Sequence, residues 1–179
     1  MYRMAFLALC ALTLTACANG PGGSGAFTDT ASTGPASSGA IFDARDFAWS
    51  VKPGTGVIHG TVAYRRSSSH YSCSGSDVLL TPESAWSRRR MEILYGSANA
   101  AAAPVSVVRA RTPTAGAGDY ARFVRRTTCD AADHFSFHDL PDGSWFVITI
   151  VKSADGAREA MAVTRRVQTH GGGVTATLS

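Results

Sequence analysis

Lysine is nearly missing from this 179-residue chain: of its 17 basic residues, all but Lys52 and Lys152 are arginines. Charge is sparse as well, 17% of residues with a formal net charge of +4. That balance is too mild for the concentrated basic footprint of a nucleic-acid-binding protein. No apolar run reaches the roughly 20 residues a membrane-spanning helix needs. Cysteines number only four, and no second cysteine stands at ligand spacing beside Cys73 or Cys129, which argues against a zinc site there. A Gly-x-Ser-x-Gly elbow and an Asp-x-Asp-x-Asp-Gly calcium loop are both missing.

The N-terminus is distinctive. Arg3 precedes an apolar run from Met4 to Leu14, the make-up of a secretory leader. The run ends in Leu14-Thr15-Ala16-Cys17, which resembles the lipobox of bacterial lipoproteins. The resemblance implies that residues 1–16 are a lipoprotein signal peptide and that Cys17 carries the lipid, because stable anchoring takes more than one acyl chain. Ala18 follows where lipoproteins retained in the inner membrane commonly carry Asp, so the outer membrane, facing the periplasm, is the expected address. With Cys10 leaving in the leader and Cys17 lipidated, Cys73 and Cys129 remain, and in an oxidising compartment such a pair reads as one disulfide.

Residues 17–40 are a linker of Gly, Ala, Ser, Thr and Pro, with Asp29 its one charge. Such a stretch cannot bury enough surface to offset its ordering entropy, and it reads as a flexible tether with a reach of roughly 25 Å. Residues 41–179 form the folded head. Short apolar alternations between Gly, Pro, Ser and Asp clusters predict an all-β antiparallel sandwich of seven or eight strands.

The expected strands begin with Phe47-x-Trp49-x-Val51, Gly56–Tyr64 and Ser76–Thr81. Val105–Ala110, Tyr120–Thr128, Ala160–Val167 and Val174–Leu178 continue the set. Phe135-x-Phe137 and Trp145–Val151 read as a hairpin through Leu140-Pro141-Asp142-Gly143, with Leu140 plugging its end. One short helix is expected, with Thr81 as N-cap, Pro82 as first residue and Gly96 as stop. Ser97–Pro104 and Thr112–Gly118 read as loops.

Several motifs together resemble the carboxypeptidase regulatory-like domain, a transthyretin-like (prealbumin-like) sandwich, over about Gly54 to Ser179. They are Gly56-x-x-x-Gly60-x-Val62, Gly75-x-x-Val78-x-Leu80-x-Pro82, and Thr127-Thr128-x-Asp130 leading into Phe135-x-Phe137-x-x-Leu140-Pro141-x-Gly143-x-Trp145-x-Val147. Gly173-Val174-x-x-x-Leu178 closes the match. Members usually carry Gly before the Phe-x-Phe strand, where this chain has Asp133-His134, and the stretch from Ser84 to Gly118 exceeds the minimal domain. The resemblance implies a non-catalytic accessory module and supplies no catalytic or ligand residues.

Candidate chemistry is thin. His134-x-x-x-His138 chelates on a helix, but on a strand the two sit about 13 Å apart, and no metal or other cofactor is expected. Asp130, Asp133, Asp139 and Asp142 read as turn residues. Adjacent arginines on strands point to opposite faces, so only Arg88-Arg89-Arg90 could form a local patch. The leading expectation is therefore a lipid-anchored structural or binding module without enzymatic activity. A second is a carbohydrate- or peptidoglycan-binding module using the loop aromatics Tyr71, Trp86, Tyr95 and Tyr120, whose rings can stack on sugars. A hydrolase is a third. Beyond the membrane, partners are an envelope protein or a glycan.

Overall fold

Period-two burial builds two facing sheets. In β7 (His134–Leu140) Phe135 and Phe137 point inward while His134 and His138 face water, as the alternation requires. The computed structural model describes residues 41–113, 118–156 and 158–179; the expected signal peptide, Cys17 and the expected linker lie outside the described residues. The described residues belong to one compact unit.

The smaller sheet has β1 (Gly56–Val62) at its centre, flanked by β7 and β10 (Gly173–Leu178). The larger sheet is organised by β8 (Gly143–Ser153), whose eleven residues reach two partners along one edge. These are β4 (Asp77–Pro82) and, nearer the strand end, β3 (Ser69–Ser72). Its other edge carries β9 (Met161–Thr169). β6 (Arg125–Thr128) pairs with β4, β5 (Ala100–Pro104) with β9, and the two-residue β2 (Arg65–Arg66) with β3. The architecture is an all-β sandwich.

One core fills the space between the sheets. Ile58, Phe135, Phe137 and Leu178 from the small sheet meet Val78, Leu80, Trp145, Val147 and Val163 from the large one. Trp145 is fully buried, and its Nε1 donates to Thr169 Oγ1 at 3.1 Å, so the largest apolar side chain keeps its polar atom satisfied. Cys73 and Cys129 are joined as a disulfide with Cα atoms 5.8 Å apart, stapling the end of β3 to the end of β6.

The structure departs from the expected elements where periodicity was weak. Ten strands occur among the described residues, more than seven or eight, and β1 runs parallel to β10, so the sandwich is not wholly antiparallel. The Phe47–Val51 stretch is part of a 3-10 helix, Ala44–Val51, capped by Asp43 accepting from Arg45 N. Burial there falls on Phe47 and Ser50, a spacing of three rather than two. Thr81 and Pro82 extend β4, so α1 (Ala85–Tyr95) is capped instead by Ser84, reciprocally with Ser87; Gly96 ends it in the left-handed region, as expected.

The alanine run taken for a loop is the edge strand β5. Val105–Ala110, expected as a strand, falls in a second helix, α2 (Val105–Arg111). Tyr120 to Phe123 belong to a 3-10 segment, Gly118–Phe123, before β6 begins. The hairpin is also revised: β7 pairs with β1, and β8 pairs with β3, β4 and β9, so the Leu140–Gly143 link carries the chain across the core from one sheet to the other. Leu140 does plug that crossing, fully buried.

Candidate functional site

The outer face of the large sheet supplies the best-formed concavity. Along β4 and β8 the residues that point away from the core are Leu79, Ile148 and Ile150. α1 covers one end of this face, where Phe146 packs with Met91 and Ala98. Beyond it the face stays open as a groove of about 610 Å3, floored by Leu79, Ile148, Ile150 and Ala162 and walled by Tyr95 of α1 and Val105 and Val108 of α2. Arg109, Arg126 and Lys152 stand on its rim. Ile150 is 42% exposed, one of few large apolar side chains left so open.

α2 is held over the groove from both ends. Val105 N donates to Ala160 O at 3.0 Å, and Arg111 Nη1 donates to Leu94 O at 3.3 Å. Ser106 adds a hydrogen bond to Glu159. None of the helix's residues is buried, although three of its seven are valines.

The four aromatics expected to bind a sugar do not form an exposed row, and none lies in an ordinary loop. Tyr71 lies on β3, fully buried against Tyr64, and offers no face to a ligand. Trp86 of α1 and Tyr120 pack edge to face, 4.7 Å between centroids, in a cluster with Phe42, Phe47 and Phe123. Arg90 lies over Trp86 at 5.5 Å. Burial pushes the Tyr120 phenol up to about 12, against smaller opposing influences from Thr81 and Arg90. Its hydroxyl has no partner of normal hydrogen-bond geometry among the described residues. Tyr95 alone lines the groove, half-buried, with its phenol also raised by burial.

A second, polar cleft of about 490 Å3 lies at the small sheet, lined by His59, Thr61, Thr128, Asp130, His134 and Ser136 among others. Asp130 is held below the usual carboxylate range chiefly by the His134 amide and also by that of Ala132, both donating to Oδ1 at 2.8 Å. His134 and His138 have different nearest polar partners, Asp130 and Ser136, as the strand geometry requires. His59, whose ladder partner on β7 is Ser136, brings its ring diagonally to 6.2 Å from that of His138, a juxtaposition that spacing along one strand does not reveal.

Cys73, Cys129 and Asp133 also bring three metal-type ligand atoms within 4.8 Å, but the sulfurs are bonded to each other, so no thiolate is available. Asp133 has a different task. It sits at φ 63°, a left-handed conformation that favours Gly, which the resembled family carries at the same turn. Its carboxylate accepts from Ser72 Oγ at 2.7 Å and Cys73 N at 2.8 Å, with His70 Nε2 3.4 Å away. Ser72 thus hydrogen-bonds the carboxylate, not the imidazole, and the three groups do not form the relay of a hydrolytic triad.

The strand expected over Val105–Ala110 hides the roof of the groove; the spacing of Val105 and Val108, three apart after Pro104, is the sign of a helix that the sequence carries. No protein-family model matches this chain, and no curated protein does. Among solved structures it is similar to a "putative carbohydrate binding protein" from Pseudomonas aeruginosa, with 21% identity and a TM-score of 0.55 over 77% of this chain and 98% of that one. Similarity at that level is a likeness of fold, and the fold the two share is the β-sandwich.

Proposed function

We propose that the protein is a membrane-anchored envelope lipoprotein whose sandwich is a non-catalytic binding module, with the groove over the large sheet as its ligand site. The groove carries the reading: apolar side chains of β4, β8 and α2 stand part-exposed around about 610 Å3, within the size range of small-molecule sites. Contiguous exposed apolar surface of this kind marks an interaction site. The lipobox-like Leu14–Cys17 supports the anchor, and a buried disulfide suits an oxidising compartment. The resemblance to carboxypeptidase regulatory-like domains supports an accessory role.

A carbohydrate ligand is the second reading. Tyr95 in the groove wall favours it, as does what the similar Pseudomonas aeruginosa protein is said to bind. Two measurements test the proposal. Wild type should incorporate a fatty-acid analogue and fractionate with membranes, and Cys17→Ser should do neither; an unlabelled wild type refutes the anchor. Amide shifts during NMR titration with glycans and amphiphiles should centre on Leu79, Val108, Ile148 and Ile150. Shifts centred on His59 and Ser136 would move the site to the polar cleft.

A further inference from the structure

The side chains around the groove differ in what they have left to offer a ligand. Two of its four hydroxyls are already engaged, leaving those of Ser76 and Tyr95: Thr149 Oγ1 donates to Asp77 O at 2.9 Å, and Thr112 Oγ1 donates to Val108 O at 2.8 Å. The Asp77 carboxylate faces Arg126 at 3.8 Å. A neutral sugar would therefore find few free partners, since recognition of its hydroxyls needs several converging donors and acceptors.

Two kinds of group remain. One is the apolar surface of Leu79, Ile148 and Ile150, facing Val105 and Val108 across the groove. The other is positive charge, because neither Arg109 nor Lys152 has an ion-pair partner among the described residues. With Arg126 and Asp77 roughly cancelling, the rim keeps two cations beside an apolar floor.

Resting on the groove as the binding site, we propose that its occupant is a single-chain acidic amphiphile. An alkyl or acyl chain lies between Ile150 and Val108, and a carboxylate or phosphate head is held by Arg109 and Lys152. The cations select the head by charge complementarity, and binding of the tail covers valines of α2 that the fold leaves uncovered.

The test uses the Ser37–Ser179 unit, which contains both apolar clusters and the disulfide. Decanoate, decyl phosphate, decanol and maltotriose are titrated by calorimetry below any micellar concentration, with NMR shifts to locate each. Either acidic probe should bind in the groove about tenfold tighter than decanol, with the preference shrinking as salt is added. Arg109→Glu combined with Lys152→Glu should erase the preference yet keep decanol binding. Ile150→Glu should abolish binding of all alkyl probes while thermal unfolding stays cooperative.

Equal affinity for decanol and decanoate overturns the proposed head-group contact. Maltotriose binding in the groove, with no alkyl probe bound, overturns the amphiphile and leaves the binding module standing. No binding of any probe in the groove removes both.

Discussion

Gly60 offers the sharpest test of how the two inner faces fit. It lies opposite Phe135 in the β1–β7 ladder, and a methyl group built on it would fall 1.8, 2.1 and 2.4 Å from three atoms of that ring. Real contacts require well over 3 Å, so in Gly60→Ala the ring must move by more than a full ångström. It has little room, since Phe135 is 5% exposed and packs against Phe137 at 6.1 Å. Ala in a strand interior would otherwise gain about 0.5–1 kcal/mol over Gly.

Overpacking costs typically about 1–3 kcal/mol, and with ring displacement the upper end applies, so a loss of about 3 kcal/mol is expected. Phe135→Leu alone should cost about 1.5 kcal/mol, below the 3–5 of a Phe→Ala truncation. Because the smaller side chain vacates the space the methyl needs, the double variant should lose no more than about 2 kcal/mol, a favourable coupling of roughly 2.5. Urea unfolding followed by tryptophan fluorescence measures all three. Losses that add to within about 0.5 kcal/mol would show that ring and glycine are not in contact, and the ladder register would be wrong.

Other expectations follow from burial and charge. Tyr120 keeps its proton when folded up to about 12 while an unfolded tyrosine loses it near its ordinary value of about 10, so the unfolded state binds fewer protons in that window and stability falls as pH rises. Tyr120→Phe should abolish up to about 2–3 kcal/mol of that alkaline loss and change little at pH 7, as seen in denaturation midpoints at the two pH values. Replacing Cys73 and Cys129 by Ser opens a link spanning 56 residues; the loss should be about 4 kcal/mol on the chain-entropy account, read from unfolding curves with and without reductant. Phe137→Ala should cost about 3–5 kcal/mol in the same assay, whereas exposed His134→Ala and His138→Ala should each stay within about 0.5.

What was legible in the sequence tracks the physics that produces each element. β7 and β8 were visible because each buries one side chain in two, and Phe135, Phe137, Trp145 and Val147 all reach the core. Which strand each joins was not visible: a Pro-Asp-Gly link serves a sheet-crossing as well as a hairpin, and Leu140 is buried in either arrangement. Alanines of β5 carry no alternation, and the β-preference of valine was overridden in α2, where Val105 and Val108 share one helical face. Locally Tyr71 reads as a loop aromatic, because its inward direction depends on β3 pairing with Ser153 and Lys152, far along the chain. Asp133 was counted among turn aspartates. Its hold on Cys73 is a contact across 60 residues that no local pattern records. The groove is harder still, since it consists of what two helices leave uncovered.

The parallel pairing of β1 with β10 sets a clock on the birth of this domain. Val57 aligns with Gly173 and Val62 with Leu178, so the first strand of the sandwich waits for the last. While the ribosome is still making β9, one edge of β1 has no partner, and the core residues that Ala176 and Leu178 will cover stay open on that side. Loop closure over nearly the whole domain makes this a slow, late event. A chain stopped a few residues early should persist as an open, protease-sensitive intermediate, and the completed fold should appear only once its C-terminal strand is free to dock.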